Sequence, residues 1–130
     1  MILVDTSVWI EYFRQNETIV QAIQPLLRNQ EVVTLEPIFS ELLYGVRNKR
    51  ERKIVESYWQ VLPRIEYGEN SMIGAAIFAN SNDYHNLGIG LMDAIIIRSA
   101  LEGNHLLWTL DARINRNLDK NHIYHSRKLQ

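Results

Sequence analysis

Ile2-Leu3-Val4-Asp5-Thr6-Ser7-Val8-Trp9 sets a short apolar run directly against an aspartate and two hydroxyls. An apolar run that stops on polar residues reads as a buried strand, and Val8, Ile10, Tyr12 and Phe13, in a stretch reaching Arg14, read as the helix after it. Thr6 or Ser7 is expected to cap that helix, because a hydroxyl accepts the amide hydrogens left unpaired in a first turn. The same order returns late in the chain, where His105 to Leu110 is a third strand and Asp111 opens a polar helix. Between them Ile19, Val20, Ile23, Leu26 and Leu27 recur at helical spacing, with Pro25 expected to kink or divide the helix. Glu31 to Leu35 reads as the second strand. Pro37 opens a helix whose apolar face is Phe39, Leu42, Leu43 and Val46. Ile54, Val55, Tyr58 and Trp59 mark another amphipathic segment, and Val61-Leu62-Pro63 begins an extended piece reaching Tyr67. Residues 71–79 read as helix, Asn80 to Gly90 as loop, and Leu91 to Leu101 as a strongly apolar helix ended by Gly103-Asn104. His122-Ile123-Tyr124 is a candidate edge strand. Strands separated by helices predict an α/β sandwich: a central, mainly parallel sheet covered by helices, with its site at the carboxyl ends of the strands.

At 130 residues, 46% apolar and 22% charged, the chain has the size of one domain, taken as residues 1–130, able to bury a core without staples. The absence of cysteine excludes thiol catalysis, zinc ribbons and disulfide scaffolds, and the lack of a signal-peptide pattern leads us to expect a cytoplasmic protein. No apolar run is long enough to cross a membrane. Fourteen basic residues against fifteen acidic give no overall bias toward nucleic acid, but the charges are unevenly placed. Residues 1–46 hold six acids and two bases, whereas residues 47–53 hold five bases and one acid, and residues 113–130 repeat that excess.

Asp5 and Asp111 each follow a strand, so both are expected at one edge of the sheet. Glu41 and Asp93 lie about one turn into helices and should face the same edge. Asp93 is the most telling, because Leu91, Met92, Ala94, Ile95, Ile96 and Ile97 around it are apolar, and a lone carboxylate there is costly unless paired or bound to a cation. Four converging carboxylates repel one another unless a divalent cation neutralises them. With oxygen ligands alone, Mg²⁺ or Mn²⁺ suits the set better than zinc, and such ions serve phosphodiester hydrolysis by water. Ser7 and Thr109 place hydroxyls two residues from an aspartate at each strand end.

Together, Leu3-Val4-Asp5-Thr6-Ser7-Val8-Trp9-Ile10, Ser40-Glu41-Leu42-Leu43-Tyr44-Gly45, Asp93-Ala94-Ile95-Ile96 and Thr109-Leu110-Asp111 resemble the PIN-domain ribonucleases, specifically the VapC-type toxins of type II toxin–antitoxin systems. The resemblance spans residues 1 to about 118. It implies a PIN-like α/β/α sandwich and a Mg²⁺- or Mn²⁺-dependent endoribonuclease that leaves a 5′-phosphate and a 3′-hydroxyl. Asp5, Glu41, Asp93 and Asp111 then become metal-binding acids assisted by Ser7 and Thr109. The implied partners are an RNA substrate, a VapB-type antitoxin and a second copy in a homodimer.

Arg47, Lys49 and Arg50, with Arg52 and Lys53, follow Glu41 closely and are candidate RNA-backbone contacts; Arg113 and Arg116 after Asp111 are a second set. Phe39, Leu43, Tyr44, Tyr58 and Trp59 exceed what one helix face buries, and some of them are candidates for a groove that takes an amphipathic partner segment. Two other readings stand beside the toxin: a PIN nuclease of RNA processing, and a catalytically silent PIN-like interaction module. His85, His105, His122 and His125 match no catalytic position and read as structural or surface residues.

Overall fold

In the computed structural model, which describes residues 1–66, 68, 69 and 71–126, Ile2–Val4 (β1) is the central strand of a three-stranded parallel sheet. Val32–Val33 (β2) lies on one side of it and Leu106–Trp108 (β3) on the other, with Ile2 opposite Val32 and Leu106, and Val4 opposite Trp108. Successive side chains of a strand point to opposite faces, yet Ile2, Leu3 and Val4 are all buried, so both faces of the sheet are covered. The covering elements are Thr6–Phe13 (α1), Glu17–Arg28 (α2), Glu36–Tyr44 (α3), Lys49–Val61 (α4), Ser71–Ser81 (α5), Leu91–Glu102 (α6) and Ala112–Asn117 (α7). Two 3₁₀ turns, Tyr84–Leu87 and Lys120–His122, complete the described elements. The expected α/β/α sandwich is therefore the architecture.

The strands are shorter than the apolar runs suggested. Only Val32–Val33 of Glu31 to Leu35, and Leu106–Trp108 of His105 to Leu110, are strand, because the chain turns away into Pro37 on one side and the Thr109–Asp111 turn on the other. Among the described residues, the sheet is continued beyond β2 only by a bridge from Thr34 to Arg64, and beyond β3 by one from Leu107 to Ile123. The expected edge strand at 122–124 is thus a single bridge, and the expected end of the 61–67 segment, Tyr67, lies outside the described residues. Pro25 does not divide α2. The carbonyl that its missing amide hydrogen would have met belongs to Gln21, an exposed residue, and α2 runs on to Arg28. Residues 80 and 81 extend α5, and Tyr84–Leu87 forms its 3₁₀ turn, inside the stretch expected to be loop.

Trp9 and Trp108 are the largest fully buried side chains. Tyr12, Phe13, Phe39 and Tyr58 surround Trp9 at centroid distances of 5.5–5.9 Å, tying α1 to α3 and α4. From β1 the chain passes first to β2 on one side and only later to β3 on the other. The carboxyl ends of β1 and β3 therefore flank the point where the winding reverses, which is where a doubly wound sheet opens a crevice.

The Tyr12 and Tyr58 hydroxyls bond to each other. Burial first, and the Tyr58 bond second, push the Tyr12 phenol well above its ordinary range. A phenol raised on folding contributes stability that is complete below its unfolded value of about 10 and is lost as pH climbs above it. The urea midpoint should consequently fall as pH rises beyond about 10, and Tyr12→Phe should flatten that fall. An equal fall in wild type and variant would remove the tyrosine pair as its cause.

Candidate active site

Asp5 leaves β1 in extended conformation and occupies the N-cap position of α1, but its side chain does not cap the helix. It is nearly fully buried, at 4% exposure, and its Oδ2 accepts hydrogen bonds from Ser7 Oγ at 2.8 Å and Thr109 Oγ1 at 2.7 Å. Ser7 Oγ in turn accepts from the Leu110 amide, and Thr109 Oγ1 from the Asp111 amide, each at 3.0 Å. One carboxylate oxygen and two hydroxyls thus lace the start of α1 to the turn after β3. Thr6 and Ser7, expected as caps, are instead turned to side-chain partners: Thr6 Oγ1 donates to Glu41 Oε1 at 2.9 Å.

Asp111 is the N-cap of α7, its Oδ1 accepting from the amides of Arg113 at 2.8 Å and Ile114 at 3.3 Å. Asp93 is half-buried in the first turn of α6. Ala94 to Ile97 after it point into the core, whereas Leu91 and Met92 before it are exposed, so the carboxyl sits at the rim of the apolar region. Burial pushes the Asp93 carboxyl above the ordinary carboxylate range, and the charges of Asp5, Asp111 and Glu41 push it further. All three other acids therefore act on Asp93, and the structure brings the four sequence-selected carboxylates to one edge of the sheet.

Among the described residues, no three acidic or histidine side chains are close enough together to hold a metal ion in the arrangement seen. The donor chemistry nevertheless fits a hard divalent cation: four oxygen donors, and an Asp93 carboxyl whose charge the other three acids oppose. Sequence reasoning missed two supporting residues. Thr6 holds Glu41, and the only signal for it was its place beside Asp5. Asn115 Nδ2 donates to the Thr109 carbonyl at 2.9 Å, holding the turn after β3, and nothing in its polar surroundings marked it out.

The candidate RNA contacts are scattered. Arg47 is paired with Glu51, with Nη2 at 3.1 Å from Oε1, and Lys49 and Arg50 are exposed in the first turn of α4. Arg116 is exposed on α7, and Arg113 donates from Nη1 to the Gly88 carbonyl at 2.9 Å. His105 lies at the start of β3, the opposite end from the acids, and burial pushes its imidazole below the usual value.

Two adjoining grooves run along α1 and α4, and one of them reaches the acids. One, of about 450 Å³, is lined by residues of α1, α3 and α4 and of the turn between α3 and α4, among them Ile10, Leu42, Val46 and Val55, and reaches Glu41. The other, of about 530 Å³, shares Phe13 and Ile54 with it and continues past Tyr12 and Tyr58 to Val20 on α2. Of the five aromatic and aliphatic residues expected around such a groove, Tyr58 lines it. Phe39 is core, Trp59 is under the Arg64 guanidinium at 3.6 Å, and Leu43 and Tyr44 are absent from the lining.

A family model described as the PIN domain matches residues 2–119. No curated protein matches the sequence. Among solved structures, the chain is similar to one in VapBC2 from Rickettsia felis bound to a DNA fragment from their promoter. The TM-score is 0.72 and the identity 18%, over 95% of this chain and 96% of that one. VapBC-1 from nontypeable Haemophilus influenzae gives 0.67 and 22%, over 90% and 92%. FitAcB from Neisseria gonorrhoeae gives 0.59 and 19%, over 85% and 88%. At these identities the likeness is one of fold.

A carboxyl raised on folding contributes stability when protonated and loses it as pH rises through the raised value, so ionised Asp93 burdens the fold at neutral pH. Asp93→Asn should raise the thermal midpoint of the metal-free protein at pH 7 and have little effect at pH 3. A lowered midpoint at pH 7 would show that the carboxylate is paired rather than repelled.

Proposed function

The chain belongs to the PIN-domain family, and from that premise we propose that it is a divalent-metal-dependent endoribonuclease, the toxin of a VapBC-type toxin–antitoxin pair. The observation that carries the reading is the gathering of Asp5, Glu41, Asp93 and Asp111 at the carboxyl edge of β1 and β3, where the other three charges oppose that of Asp93. These four would hold Mg²⁺ or Mn²⁺. When bound, the ion supplies Lewis acidity toward a phosphodiester and makes water a nucleophile near neutral pH.

The chain's own residues prepare that chemistry. Ser7 and Thr109 engage Oδ2 of Asp5 and so fix the orientation of a buried carboxylate. Thr6 restrains Glu41, the most exposed of the four acids, against α1. Asp111 spends Oδ1 on its helix cap, which fixes the direction of Oδ2. In-line attack by water on the phosphorus, with departure of the 3′-oxygen, gives the 5′-phosphate and 3′-hydroxyl products. Lys49, Arg50 and Arg116 are free of ion pairs among the described residues and are the cations that would track the RNA backbone.

The partner reading rests on the grooves. Their apolar floor of Ile10, Phe13, Leu42, Ile54 and Val55 suits the apolar face of an amphipathic antitoxin segment, and an occupant would lie against Glu41. The homodimer reading rests on α5, Ser71–Ser81, which has no charged residue and leaves Met72, Ile73 and Ile77 between 53% and 63% exposed. A helix apolar on all sides belongs in an interior, and a second copy would provide one.

Incubated with cellular RNA, the protein should give discrete fragments with Mg²⁺ or Mn²⁺, none with EDTA, and at least about 100-fold less with Asp93→Asn. Cleavage should fall steeply with added salt. Intact RNA from a folded, Mg²⁺-binding protein would sink the nuclease reading. In sedimentation equilibrium the chain should be a dimer, and Ile73→Lys with Ile77→Lys should make it a monomer; a wild-type monomer would leave α5 without this role.

A further inference from the structure

Arg113 is placed by sequence among the RNA-backbone contacts, but its guanidinium is engaged within the protein. Nη1 donates to the Gly88 carbonyl at 2.9 Å. Nε lies 3.7 Å from Oδ1 of Asp111, the same oxygen that accepts the Arg113 amide at 2.8 Å. The stem lies along the turn as well, since a Cβ added to Gly88 would stand 3.1 Å from Nη1 and 3.2 Å from Cδ of Arg113. Gly88 has φ of +75°, a conformation that glycine adopts without strain.

The turn that Arg113 grips leads directly to an acid of the site. Gly88 closes the 3₁₀ turn Tyr84–Leu87, Ile89 is buried and its amide bonds to the Tyr84 carbonyl at 3.0 Å, and Gly90 is the N-cap of α6. Asp93 follows in the first turn. On the other side, Asp111 belongs to the turn that Thr109 and Asn115 hold at the end of β3. Like charge drives Asp93 and Asp111 apart, and the planar guanidinium donates a hydrogen bond to one segment while its charge faces the carboxylate of the other, a fixed geometry that a lysine ammonium reproduces less well.

We propose that Arg113 is a positioning residue, tying the Gly88–Gly90 turn ahead of Asp93 to the Asp111 carboxyl and so setting the separation of two acids of the site. The inference rests on the nuclease reading for its purpose, though the tie itself does not. A bare positive charge beside the acids would compete with a cation. A tie that holds the acids in place would favour one.

The test uses the full chain as wild type, Arg113→Gln and Arg113→Lys, with two readouts: amide hydrogen exchange over residues 88–93 in metal-free protein, and calorimetric titration with Mg²⁺. Both variants should exchange at least about 10-fold faster over 88–93 with β1 and α5 unchanged, and should bind Mg²⁺ about 10-fold more weakly. If Arg113 acts only as a charge, Arg113→Gln will bind Mg²⁺ more tightly, Arg113→Lys will match wild type, and exchange will not change. If it is an RNA contact alone, both readouts will stay at wild-type values and only the salt dependence of cleavage will flatten. Either result overturns the proposal. Should wild type bind no Mg²⁺, the nuclease reading fails, while exchange over 88–93 still decides whether Arg113 ties the turn.

Discussion

The arrangement depends on one buried carboxylate. Asp5, at the carboxyl end of the central strand, is removed from water at a cost that unpartnered burial would make severe. Ser7 and Thr109 offset that cost, and they come from the two segments that must meet for the crevice to exist. Their oxygens are also acceptors for the amides of Leu110 and Asp111, so the charge at Asp5 organises backbone on both sides of the winding reversal. Replacing Asp5 by an apolar residue would remove the burial penalty together with the reason for those turns to hold their shape.

Of the three further acids around that point, Asp93 works against folding. Asp111 caps α7 and Glu41 is held by Thr6, but the opposition of these two charges and of the charge on Asp5 raises the Asp93 carboxyl beyond what burial alone does. What resists it is packing elsewhere: Trp9 within its aromatic neighbours, Trp108 against Tyr124, and the run Ala94 to Ile97 of α6 buried behind Asp93. On the proposed reading, like charges gathered on a well-packed scaffold are the expected pattern where local consistency gives way to chemistry.

Much of this was legible from the chain alone because it depends on local order. Strand followed by acid, twice, and an acid one turn into each of two helices specify an edge once the sheet is parallel. What sequence did not show depends on distance. Thr6 reads as a cap because the Glu41 carboxylate that takes its hydroxyl is 35 residues away. Arg113 reads as a free cation because its acceptor, Gly88, belongs to a turn 25 residues earlier. Strand ends were overextended because apolar residues beyond the ladder, such as Leu35, are fully buried without strand pairing. Of the aromatic excess, Tyr58 lines a groove, whereas Phe39 went to the core and Trp59 under Arg64.

Glu41 is where the site and the groove meet. It is the acid most open to solvent, it is the one restrained from α1 rather than from β3, and it lines the apolar groove between α1, α3 and α4. Helix α3, which carries Glu41, and helix α1, which Asp5 precedes, also line that groove, whereas α6 and α7, at whose starts Asp93 and Asp111 lie, do not reach it. On the proposed reading, a segment seated on Ile10, Leu42 and Val55 needs no contact with RNA to oppose cleavage, because its end occupies the approach to Glu41. The same segment gains from burying Phe13 and Ile54, so apolar area supplies the affinity and the neighbouring carboxylate determines what that affinity blocks.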